Sequence, residues 1–145
     1  MEELLRLLEQ KQEWLKKFLH LTQGYHAQLR DNEPAALEDI DYFLNNRQSL
    51  LNILQSTEKK ITNHLKLNKI DATVLAQETA RIEGFGIEES KVGLEVRSLD
   101  GSILRTLTRA RSESENELKQ VTRGKKAISG YRAEKSATNR VDVQR

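Results

Sequence analysis

The chain has 145 residues, one proline and no cysteine, with 37% hydrophobic and 32% charged residues. Both fractions lean polar against the usual ~45–50% and ~25%. With so few turn-forming residues they exclude a β-sandwich or a compact α/β enzyme and leave an elongated all-α protein with a thin core. The formal charge of +2 is uneven: residues 105–145 hold 11 Lys/Arg against 5 Asp/Glu, so a basic third follows an acidic body.

The first segment, Glu2 to about Arg30, spaces Leu4, Leu8, Leu15, Phe18, Tyr25 and Leu29 as one helix face, with Lys11 and Thr22 at the skipped positions. Asp31-Asn32-Glu33-Pro34 reads as a stop and restart. Asn32 suits an N-cap, and Pro34 suits a first turn in which its missing N–H is not needed. A second helix follows with the stripe Leu37, Ile40, Leu44, Leu51, Leu54, Ile61 and Leu65. A short link between two such helices makes an antiparallel hairpin. In it Leu44, Leu51 and Leu54 are expected to face Leu8, Leu15 and Phe18.

Residues 67–90 read as a connector with one or two helical turns, opened by an Asp71 cap and broken at Gly84-Phe85-Gly86. A long third helix is expected from near Glu88. Its stripe is Val92, Val96, Leu99, Ile103, Leu107, Ala110, Ser114, Leu118, Val121, Ile128 and Tyr131. Asp100-Gly101 is a hairpin turn signal inside it. The helical spacing favours one continuous helix, with a restart at Ser102 or a β-hairpin as the alternatives. Residues 133–145 lack periodicity and are expected to be a flexible, disordered tail on a single helical domain at 1–132.

Without cysteine there is no disulfide framework and no thiolate metal site. His20, His26 and His64 form no metal-ligand pair on one face, and no phosphate-binding glycine motif or nucleophile elbow occurs. The expectation is a non-enzyme without metal or cofactor. No apolar run is long enough to span a bilayer, and the first residues, Met1-Glu2-Glu3, lack a basic region before an apolar one. A cytoplasmic protein is therefore expected. Arg123, Lys125, Lys126, Arg132 and Lys135 are the candidate phosphate contacts. With Tyr131 as the lone aromatic nearby, the run reads first as a solvated helix end, with a nucleic-acid accessory protein as the lesser alternative. The third stripe outlasts the hairpin arms, at roughly 60 Å against roughly 45 Å by rise per residue. Its distal half, Leu107, Ala110, Leu118, Val121 and Ile128, is the candidate docking face for an amphipathic helix. The same stripe also allows a homodimer or a permanent coiled-coil subunit.

Three stretches carry a family resemblance: Glu3-Leu4-Leu5-Arg6-Leu7-Leu8-Glu9-Gln10, Asn32-Glu33-Pro34-Ala35-Ala36-Leu37-Glu38 and Asn46-Arg47-Gln48-Ser49-Leu50-Leu51. With a long third helix and a tyrosine late in the chain (Gly130-Tyr131), the sequence resembles the FlgN-type flagellar export chaperones. The resemblance implies a cytoplasmic type III secretion chaperone for flagellum biogenesis. Such a protein holds the C-terminal helical segments of hook-filament junction (hook-associated) proteins and delivers them to the export gate. It also implies that Tyr131 contacts the cytosolic domain of the export-gate membrane protein.

Overall fold

The computed structural model describes the backbone of residues 1–68 and 72–144, and the side chains of 1–68, 73 and 76–126. The described backbone is all α-helical: α1 (Glu2–Asp31), α2 (Glu33–Glu38), α3 (Ile40–Asn68), α4 (Ala72–Gln77) and α5 (Thr79–Gln144). It divides into two compact units, Met1–Leu104 and Arg105–Arg145.

The reversal between α1 and α2 turns on a single residue. The Asn32 backbone N–H donates to Gln28 O at 2.8 Å and closes α1. Its side-chain oxygen accepts from Ala35 N at 3.4 Å and opens α2, with Pro34 in the first turn. Asp39, at φ −88 and ψ 4, then separates α2 from α3. The second helix expected from sequence is therefore two, bent at a residue in the sparsely populated region between α and extended backbone. The bend is fixed from α1: Tyr25 Oη donates to Ala36 O at 2.9 Å, and Gln28 donates to Asp39 at 2.8 Å. Ala36 is fully buried under this contact.

Within Met1–Leu104, α3 returns antiparallel to α1. At one end the Tyr25 and Phe43 rings stack with centroids 4.0 Å apart. At the other, Leu4, Leu7 and Ile61 form an apolar cluster with Met1 and Leu8 against it. The first part of α5 runs parallel to α1, as the sequence-ordered pairs Glu9–Arg81, Lys11–Glu89 and Gln23–Glu95 show.

All three long helices use inward positions spaced alternately by three and four residues. On α1 these are Leu4, Leu8, Lys11, Leu15, Phe18, Thr22, Tyr25 and Leu29. Thr22 is 0% exposed and its hydroxyl donates to Phe18 O at 2.9 Å, so a polar residue sits in the core with its donor satisfied. On α3 they are Ile40, Phe43, Arg47, Leu50, Leu54, Thr57, Ile61 and His64. This corrects the expected stripe: Leu44 and Leu65 are exposed, while Leu51 is half-buried at the edge of the face. Arg47 and Thr57 occupy inward turns, so a reading that follows leucines alone slips off the true face. On α5 the positions are Phe85, Glu89, Val92, Val96, Leu99 and Ile103.

Two further expectations are corrected. The third helix starts at Thr79, about two turns before Glu88, and it runs through Gly84-Phe85-Gly86 without a break. Helical glycine costs about 1 kcal/mol relative to alanine, and the α5 contacts of Arg81 to Glu9 and Glu89 to Lys11 flank the two residues. Asp100-Gly101 is likewise helical, so the continuous helix holds and the hairpin and restart alternatives fall. The expected Asp71 cap lies outside the described residues, as do the side chains of the expected tail at 133–145.

Replacing Phe43 by Ala should cost about 3–5 kcal/mol, because the ring is buried and stacked. Leu44→Ala, at a position 49% exposed, should cost less than about 1 kcal/mol. Urea titration of both variants checks the assignment of the inward face. Gly93→Ala should raise stability by up to about 1 kcal/mol, because a Cβ there meets nothing within 4 Å.

Candidate functional site

Two polar assemblies hold α5 (79–104) onto the α1–α3 pair. Lys11, on the inward face of α1, donates to Glu58 of α3 at 2.6 Å and to Glu89 of α5 at 2.9 Å. Its side chain is 15% exposed. Burial opposes the charged ammonium, but the hydrogen bonds to the two carboxylates outweigh it, and the Lys11 pKa is raised above the ordinary 10.5. The second assembly centres on Arg47 of α3. Its guanidinium forks onto Asp100 of α5 through two bonds, Nη1 to Oδ1 at 2.6 Å and Nη2 to Oδ2 at 2.5 Å. The same group lies 4.8 Å from the Phe18 ring centroid and 5.9 Å from that of Phe43. Bidentate pairing and ring stacking are the two geometries for which a planar guanidinium is suited and an ammonium is not.

Both assemblies are ion pairs between helices of Met1–Leu104. The cavities are open and shallow. One of ≈ 720 Å³ between α1 and α5 is lined by Leu15, Gly86, Glu89, Ser90, Gly93, Leu94 and Arg97. Another of ≈ 330 Å³ near the reversal is lined by His20, Leu21, Gly24, Tyr25, Gln28, Asp39, Tyr42 and Phe43. Among the described residues no group of three or more His, Asp or Glu is placed to hold a metal ion. No described helix is long and apolar enough to cross a membrane.

The docking residues expected from sequence share one face of α5, with successive steps of three, four, four and three from Leu107 through Ala110, Ser114 and Leu118 to Val121. Their burial differs. Ala110 is buried and Leu107 half-buried, whereas Leu118 is 66% and Val121 54% exposed. From Arg111 to Lys126 every residue is exposed. The side chains of Ile128 and Tyr131 lie outside the described residues. Within the exposed stretch, Arg109–Glu113 and Arg111–Glu115 pair at 3.1 Å each. Both have the base N-terminal to the acid, the weaker order for a helix. Sequence reasoning missed the Lys11 and Arg47 assemblies. The signal for Lys11 was its place in the α1 stripe, where a charge is costly unless paired.

No protein-family model matches the sequence, and no curated protein or solved structure is significantly similar to it.

Because its folded pKa is raised, the stabilisation that Lys11 contributes is complete below about pH 10.5 and is lost as pH rises through the folded value. Tyr25 acts with the same sign. Burial first, and Asp39 second, raise its pKa, so its neutral, hydrogen-bonded form stabilises the fold until the phenol ionises. Urea midpoints at about pH 8 and about pH 11 should therefore fall for the native chain. They should fall less for Lys11→Met and for Tyr25→Phe.

Proposed function

We propose that the protein is a non-enzymatic, cytoplasmic export chaperone of the FlgN type. In this reading α5 beyond Ala110 captures an amphipathic C-terminal segment of a flagellar hook-filament junction protein. It then presents that segment at the cytosolic domain of the export gate. The observation that carries the reading is the uncovered helix: Leu118 and Val121 stand on one face of a stretch exposed from Arg111 to Lys126. Most helical stability in proteins comes from packing of an amphipathic face, which the exposed stretch does not have, and Ser112, Ser114 and Gly124 lower its intrinsic propensity. A client helix that lays its apolar face on Leu118 and Val121 supplies the missing cover.

The resemblance in the first and second helices and at Gly130-Tyr131 supports the flagellar assignment. The chemistry adds a preference. Lys125, one turn after Val121 on the same exposed face, favours a client helix with an acidic residue at that end. Ordering the pair costs about 2–5 kcal/mol of the contact energy, which keeps affinity moderate and release feasible. Leu107, Ala110 and Ile128 extend the same stripe at either end, and Tyr131 is assigned to the later gate contact.

Leu118→Asp combined with Val121→Asp should abolish binding of a junction-protein C-terminal peptide in titration calorimetry and leave the circular dichroism of the body unchanged. Tyr131→Ala should bind the peptide at native strength and lower secretion of the junction protein by motile cells. Full-strength peptide binding by the double aspartate variant would place the client site elsewhere.

A further inference from the structure

The exposed stretch of α5 has a charge order that complements itself in reverse. Glu113, Glu115 and Glu117 come first, Glu113 and Glu115 being paired with Arg109 and Arg111, and Lys119, Arg123, Lys125 and Lys126 follow. The face that carries Leu118 and Val121 also carries Ser114 one turn before and Lys125 one turn after. From this pattern we infer that a second copy of the chain covers this face, with the two α5 segments pairing antiparallel about a two-fold axis between Lys119 and Gln120. The inference does not depend on the client reading.

The register follows from the spacing. About that axis Leu118 lies opposite Val121 of the second copy, and Val121 opposite its Leu118, giving two apolar layers at the centre. One turn outward, Ser114 lies opposite Lys125 of the second copy. The small serine leaves room for the lysine stem, and Glu117 stands one turn along the same face to receive the ammonium. Glu117 and Lys125 make no ion pair among the described residues, so both are open to this contact. The two-fold axis repeats each contact, as an isologous interface requires. A parallel pair in register would instead set Lys125 on Lys125 and Glu117 near Glu117, which like-charge repulsion opposes. With about four helical turns and two apolar layers, the interface falls below the ~1,200 Å² of stable complexes. It is a weak, salt-sensitive association that a client competing for Leu118 and Val121 would displace.

Sedimentation equilibrium of the full chain tests this. Reversible dimerisation is expected, weakened as salt rises from about 0.1 M to about 1 M and the screening length drops from about 10 to about 3 Å. Lys125→Glu alone, or Glu117→Lys alone, should weaken dimerisation about tenfold, because attraction becomes repulsion at two symmetric positions. Mixing the two variants should restore it, since each new charge then faces its opposite, and the double variant should self-associate like the native chain. A chain that stays monomeric to about millimolar concentration, single variants that dimerise unchanged, or a mixture that stays monomeric would each overturn the inference. A monomer that nonetheless binds the junction-protein peptide would assign the face to the client alone.

Discussion

A lysine in the interior of a helical bundle sets the terms for the rest of this structure. Lys11 takes an inward place on α1 where a leucine would otherwise sit, and it is tolerated there because Glu58 and Glu89 reach it from two other helices. A buried charge with its partners removed is strongly unfavourable, whereas an apolar side chain is indifferent to which neighbour covers it. The lysine therefore fixes which residues of α3 and α5 come level with the third turn of α1. Sliding either helix by one turn would leave the ammonium without its carboxylate. Polar residues at core positions of coiled coils specify register in the same way, at some cost in stability.

Arg47 plays the corresponding part nearer the reversal. Its fork onto Asp100 ties α3 to α5, while its flat face rests near Phe18 of α1 and Phe43 of its own helix. Between them the two cations hold an α5 whose buried apolar side chains in this unit are Val92 and Ile103. The α1–α3 pair is held more by packing: stacked rings at one end and a leucine-isoleucine cluster at the other. The unit thus joins a hairpin held largely by apolar packing to a helix held largely by ion pairs, and the two attachments respond differently to salt and pH.

Much of this was legible in the amino-acid sequence, and what was missed has a consistent cause. The helix faces, the reversal at Asn32-Glu33-Pro34 and the thinning of the third stripe follow from spacing and cap chemistry. The errors arose wherever a polar residue faces inward. Arg47 and Thr57 broke the apparent apolar pattern of α3, so Leu44 was preferred to its neighbour Phe43. Asp100 stood out as a turn signal because its partner, 53 residues away in sequence, cannot be seen in a local window. The glycines at 84 and 86 suggested a break, since local propensity does not include the contacts that flank them. The third stripe was read as one continuous face, and its burial, which ends at Ala110 and gives way to exposed residues, is not written in the spacing.

The joint at Asn32 closes one helix and opens the next with the same residue, so the turn contains no slack. A connection of several residues would absorb an insertion by bulging into solvent. Here one added residue must rotate α2 by about a quarter turn or more. That would carry the Ala36 carbonyl away from Tyr25 and the Phe43 ring out of its stack. A junction that looks like an ordinary loop thus has little room for a change of even a single residue.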